Sequence, residues 1–412
     1  MAEKTSNGTV SAAAREFRPM AEVRRDFRVR WYRSPVEPAL LRELMRRSDW
    51  RGGLHSVGHL LLWGATGALT WLLFAAELWL PFAAVLMAHG VVGSFFKGAA
   101  IHELGHGTVF RTKWLNGLFT RVFCLFGFVN IYDFKVSHSY HHRYTLHPEG
   151  DREVVLPQNP TYRFLYLLQL CTVNITGGYQ SAGLWPVLRL HVITALDRYP
   201  AATGAGGDWD GEWMRAIYRD APAMRRRAVW AARFILLSLA AAVAVPIALG
   251  IPILALLLTA HLAIGHWLRW LVGGPMHAGL RDNVPDFRLC VRSNTLDPIS
   301  QFLYWGMNWH TEHHMYAGVP CYNLARLYRV IRDDMPAPRT LLGSWREILA
   351  IWKRQQEDPG YQYDTLLPPT AHPPVLSPAD LPQRSATARA RAAALDSAGD
   401  PLATVAPSAA PG

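Results

Sequence analysis

Residues 57–76 read VGHLLLWGATGALTWLLFAA and residues 78–96 read LWLPFAAVLMAHGVVGSFF, with only Glu77 between them. Neither run holds a charged side chain. About 20 apolar residues make a helix long enough to cross a hydrocarbon core of roughly 30 Å. A second pair follows at 229–249 and 253–271, joined by Gly250-Ile251-Pro252. Its only charges, Arg233 and Arg269, lie near run ends, where a guanidinium can reach water while its stem stays in lipid. Trp267 and Trp270 suit an interfacial belt. Four such runs in one chain argue against the buried helices of a soluble protein. The expected fold class is all-α: a polytopic membrane protein with four transmembrane helices in two hairpins and a cytoplasmic helical cap.

Topology follows from parity. The turns are too short for a domain on the far side, so the N-terminus, 97–228 and 272–412 share one side. Residues 1–56 carry twelve Lys and Arg and the turns carry none, which puts the shared side in the cytoplasm. The apolar runs 122–132 and 164–177 are too short to span and read as interfacial or buried helices. Three regions are expected: an N-terminal cytoplasmic segment, 1–56, disordered over its first 14 residues; a membrane domain, 57–358; and a disordered Pro/Ala-rich tail, 359–412. The first 50 residues contain no secretory h-region.

Composition excludes several classes. Half of the 412 residues are hydrophobic and 18% are charged, against roughly 25% in a soluble domain. The formal net charge of +11 suits an anionic membrane face or acidic partners, and no nucleic acid is expected. Four cysteines without a CxxC pair exclude a disulfide framework, a thiolate zinc site and a cysteine-ligated iron–sulfur cluster.

The 17 histidines carry the chemistry. HELGH at 102–106 is an HxxxH box; HSYHH at 138–142 and HTEHH at 310–314 are HxxHH boxes. Residues three or four apart share a helix face, so His102 and His106 can grip one cation. His138, His141 and His142 are expected to form one three-ring cluster, and His310, His313 and His314 another. Eight imidazoles exceed what one ion takes, which favours a dinuclear site. Imidazole suits zinc, copper, iron and nickel alike. A single catalytic zinc needs three protein ligands, whereas all-nitrogen ligation at a membrane surface suits oxygen-dependent di-iron chemistry. Glu103, His147, Glu149, Asp151 and Glu312 are candidate partners for the ligands' outward N–H groups. His59 and His89, alone within the runs, read as packing residues. His261 and His266 read either as packing residues or as neighbours of a substrate channel.

The three boxes in this order, with paired spans between them, resemble the integral-membrane fatty acid desaturases over residues 55–335. The resemblance implies two irons held by the eight box histidines and one more after the last span. His277, in GPMHAG, matches that position. Some members add an asparagine four residues earlier, where this chain has Gly273. The run NWHTEHHMY at 308–316 resembles the bacterial acyl-lipid or acyl-thioester branch and lacks the NYxEHYG pattern of alkane hydroxylases. The implied activity is O2-dependent desaturation of an acyl chain carried as a lipid, acyl-CoA or acyl carrier protein, on the cytoplasmic side of a bacterial inner membrane. Hydroxylation and oxidative decarboxylation are alternatives on the same scaffold. A histidine-rich transporter or metal sensor is the alternative from another class. No fused ferredoxin, flavin fold or b-type cytochrome segment is legible, so a separate electron-transfer protein is expected.

Overall fold

The computed structural model describes residues 18–151, 153–154, 164–177, 183–199, 209–358 and 361–376. The described residues are mostly helical. The strands among the described residues are one two-residue parallel pair, Asn294–Thr295 with Arg339–Thr340.

The first expected hairpin is present and longer than its apolar core. One helix runs Asp49–Ala75, started by the Ser48 hydroxyl accepting from the Arg51 N–H at 3.3 Å. The chain reverses at Glu77, which adopts φ 56°, and returns as the helix Trp79–Phe95. That helix passes through a π turn, Phe96–Ala100, into Ile101–His106. A π turn inserts one extra residue per turn and so rotates the face presented by the helix beyond it. Here it sets the direction of the HELGH box. The third long apolar helix is Pro222–Ala248.

Among the described residues, three helices are therefore long and apolar enough to cross a membrane. Leu61, Leu72, Leu80 and Leu237 lie bare on them, each more than 60% exposed. An apolar band this extensive marks a lipid-facing surface.

The run at 253–271, expected as one continuous span, is corrected. A helix at Pro252–Thr259 tightens into a 3-10 turn, Ala260–Leu262, breaks, and resumes as His266–Gly273. The break is held by close backbone approach. Gly265 sits at φ 81°, and a Cβ there would fall 2.1 Å from the Val91 nitrogen. The freed Ala263 carbonyl accepts the Asn174 N–H at 2.6 Å. Arg269 is half-buried, with its Nε enclosed.

The run 122–132 is divided between the helices Lys113–Gly127 and Ile131–Tyr144, which meet at 111°. Asn130 sits at the corner. Its side-chain oxygen accepts from the Tyr132 N–H, and its amide donates to the Ala228 carbonyl at 2.9 Å. The bend turns the HSYHH box back over Ile101–His106. The largest buried apolar core includes Phe95, Phe96, Phe123 and Trp305, of which the last three pack on one another and on His59.

The expected tail is also corrected in its first part. Residues 361–376 form a strap packed over Arg288, while 377–412 and the first 17 residues lie outside the described residues. The buried guanidinium of Arg288 donates to Asp286 and Asp334, each at 2.8 Å, and to the strap carbonyls of His372 and Pro373. Tyr363 donates to Glu347 at 2.8 Å. Composition marked this stretch as Pro-rich, but its hydrogen bonds hold it in place.

Candidate metal centre

The four chain segments bring nine histidines into two groups. The first comprises His102, His106, His138, His142 and His313; the second comprises His141, His277, His310 and His314. Within each group the ligand nitrogens all lie within 4.8 Å of one another. Seven of the nine are buried; His106 and His142 are partly exposed.

The expectation that each HxxHH box forms one cluster is corrected. Each box divides between the two groups, and helix geometry explains how. Successive residues advance by about 100°, so i and i+4 lie within roughly 40° of one line, while i+3 points about 100° away from i+4. His138 and His142 accordingly face the first group and His141 the second. His310 and His314 face the second group and His313 the first. Each box thus gives a pair to one group and a single ring to the other, which ties the two groups together.

The ring nitrogens have defined orientations. The Nδ1–H of His141 donates to Asp151 at 2.9 Å, that of His138 to Glu153 at 2.9 Å, and that of His277 to the Cys290 carbonyl at 3.1 Å. His314 Nδ1 lies 3.1 Å from the Thr145 hydroxyl, and His313 Nδ1 lies 3.1 Å from the Glu103 carboxylate. With Nδ1 carrying the proton, each Nε2 turns a lone pair inward. These Nε2 atoms approach closely: His102 to His313 at 2.8 Å, His277 to His310 at 3.0 Å, His310 to His314 at 3.1 Å, and His106 to His138 at 3.2 Å. Facing ring nitrogens at such distances need either an N–H bridging each pair or a cation lying among them. Metal–imidazole bonds are about 2.0–2.1 Å, so nitrogens at right angles around one ion sit about 3 Å apart. The donor set fits two nitrogen-ligated ions. Burial, followed by the charge of neighbouring rings, pushes His310 and His314 well below the usual histidine range. That favours the neutral ring a metal requires.

The other candidates sort by contact. Glu103 and Asp151 touch box histidines. Glu312 is fully buried and accepts from the Ser293 hydroxyl at 2.6 Å, and burial pushes its carboxyl up to about 7. It anchors its helix to Ser293. His147 turns Nδ1 to the Thr145 carbonyl and packs against Phe27 and Trp31. Glu149 is a correction: its side chain is 59% exposed and faces Arg18 at 3.7 Å. Glu153, four residues later, is the carboxylate that sequence reasoning missed; Ser137 and His138 share it. The only signal for it was the acidic run EGDRE at 149–153. His59 and His89 are packing residues, with Nε2–H donating to the carbonyls of Val92 and Leu257. His266 Nε2 likewise meets the His261 carbonyl at 2.8 Å.

The fatty acid desaturase model matches residues 77–345, well over half of the chain. The chain belongs to the fatty acid desaturase family. Membership implies a lipid substrate, association with a membrane and desaturase-type oxidoreductase chemistry. Together with the two imidazole groups it points to iron use. A search of curated proteins finds no match.

One expectation arises for this desaturase-family centre. Asp151 accepts from His141 and from the Leu146 N–H, so it fixes both the ring and the chain beside it. Removing such a partner typically costs about 10–100-fold in metal affinity or activity. Asp151→Asn should show a loss of that size in metal retention, measured by chelator competition on the purified protein. Retention equal to wild type would remove Asp151 from the site.

Proposed function

We propose that the chain is an O2-dependent di-iron desaturase that introduces a double bond into a fatty acyl chain. In this reading one iron is held by His102, His106, His138, His142 and His313, and the other by His141, His277, His310 and His314. The observation that carries it is the inward convergence of nine imidazoles in two linked groups. A transporter or sensor would spread its ligands along a path, and the gathering of all nine at one place supports an enzyme instead. Bound iron supplies the activation of O2, for the balance R–CH2–CH2–R′ + O2 + 2 e⁻ + 2 H⁺ → R–CH=CH–R′ + 2 H2O.

The chain's own residues supply geometry. Asp151, Glu153 and the Cys290 carbonyl hold the rings in the tautomer that faces inward. Phe134 stacks on the His138 ring and Phe287 packs on that of His314, so apolar rings flank the centre. Four membrane passages with the centre on the cytoplasmic side of a bacterial inner membrane belong to the same reading, which the excess of Lys and Arg before residue 57 supports.

The test is mass spectrometry of lipids from cells expressing the chain, beside a variant lacking a box histidine. Desaturation gives products lighter by two hydrogens. An added oxygen or a lost carbon would instead assign a hydroxylase or a decarboxylase.

A further inference from the structure

The geometry points to an electron-entry surface centred on Trp31, shaped to receive a small acidic one-electron carrier protein. This rests on the oxidative reading above, which consumes two electrons per double bond. Trp31 lies in the extended segment between Met20–Asp26 and Pro38–Leu44, which crosses the cap. Its half-buried indole stacks on Phe287, with centroids 3.9 Å apart and planes 8° from parallel. Phe287 in turn lies 5.5 Å from the ring of His314. The indole N–H also donates to the Arg143 carbonyl at 2.9 Å, and Arg143 directly follows His142 in sequence. One surface aromatic therefore leads to both imidazole groups, to the second through ring contacts and to the first through a hydrogen bond and the backbone. Electron tunnelling decays steeply across gaps, so continuous contact of this kind favours transfer.

The surroundings of Trp31 carry the matching charge. Arg28, Arg30, Arg33 and Arg143 are exposed, and none has an ion-pair partner among the described residues. The nearby carboxylate of Asp26 is already held by Arg18 and Arg25. Arg24 covers the Tyr140 ring and Arg33 the Tyr316 ring, at 5.9 and 6.0 Å. Tyr140 precedes His141 by one residue, and Tyr316 follows His314 by two. The unpaired cations thus border the chain segments that bear the histidines. Complementary charge at such a rim mainly raises the association rate. An anionic lipid surface would also attract these arginines, but it would have no use for an indole stacked toward the metal ligands.

The test is anaerobic stopped-flow reduction of the full-length, iron-loaded enzyme by an acidic [2Fe–2S] ferredoxin, set beside reduction by the methyl viologen radical. Two ferredoxins should be oxidised per chain as two ferric ions become ferrous. The triple variant R28E/R30E/R33E should slow the ferredoxin reaction at least tenfold at low salt and should not slow the viologen reaction. At about 1 M salt, where the Debye length is roughly 3 Å, the difference should vanish. Trp31→Leu should also slow ferredoxin selectively, with Trp31→Phe slowing it less. An unchanged ferredoxin rate in the charge-reversed variant would overturn the surface and leave the arginines to lipid headgroups. Reduction of wild type by viologen but not by ferredoxin would overturn the partner class. A wild-type centre that neither donor reduces would instead refute the di-iron reading itself.

Discussion

His313→Ala should lose product formation by more than about 100-fold, to background, while the protein still inserts in the membrane. His313 contributes the single ring that the HTEHH box sends to the first group. Its Nε2 is 2.8 Å from that of His102 and 3.2 Å from that of His142, and its Nδ1 faces Glu103. Truncation removes one of five donors and one of the two ties between the groups. It also leaves the fully buried Glu103 carboxylate without its ring. Loss of an outer partner alone costs about 10–100-fold, so loss of a donor sets a larger effect. Insertion depends on the apolar faces of the long helices, which His313 does not touch. His141→Ala, which removes the reciprocal ring, should behave in the same way. The check is product per membrane-inserted protein, and retained turnover would exclude these rings as ligands.

Arg288→Ala should destabilise the folded protein by roughly 3–5 kcal/mol, the range for removing one partner of a buried ion pair. The guanidinium is buried between Asp286 and Asp334, lies 4.0 Å over the Tyr32 ring, and holds two carbonyls of the strap. Its removal leaves a buried carboxylate uncompensated and frees the 361–376 strap. Unfolding in detergent and limited proteolysis would report both effects together. The double variant Asp286→Asn/Arg288→Met should recover part of the loss, because it removes the stranded charge as well. Unfolding and proteolysis unchanged from wild type in Arg288→Ala would show that the cluster does not hold the strap.

Much of this architecture was legible because it rests on local periodicity. Apolar runs at 57–76 and 78–96 need only length and a short turn to become a helical hairpin, and the boxes need only helical spacing to face a common point. Even the split of each HxxHH box follows from the angle between i+3 and i+4, once two ions are allowed. The features that escaped depend on contacts far apart in sequence. The break near Gly265 exists because that backbone presses on Gly90 and Val91, which no hydropathy window records. Glu153 reaches His138 across a loop, so spacing alone could not rank it above Glu149. The strap at 361–376 has the composition of a flexible tail, and only the buried Arg288 gives it a fixed place.

The most direct measurement is metal analysis of the purified, active protein, joined to X-ray absorption at the edge of the metal found. The expected result is two irons per chain, each bound by imidazole nitrogen at about 2.0–2.2 Å. One ion or none per active chain, a metal other than iron, or coordination without imidazole nitrogen would contradict the claim that nine histidines assemble a di-iron centre.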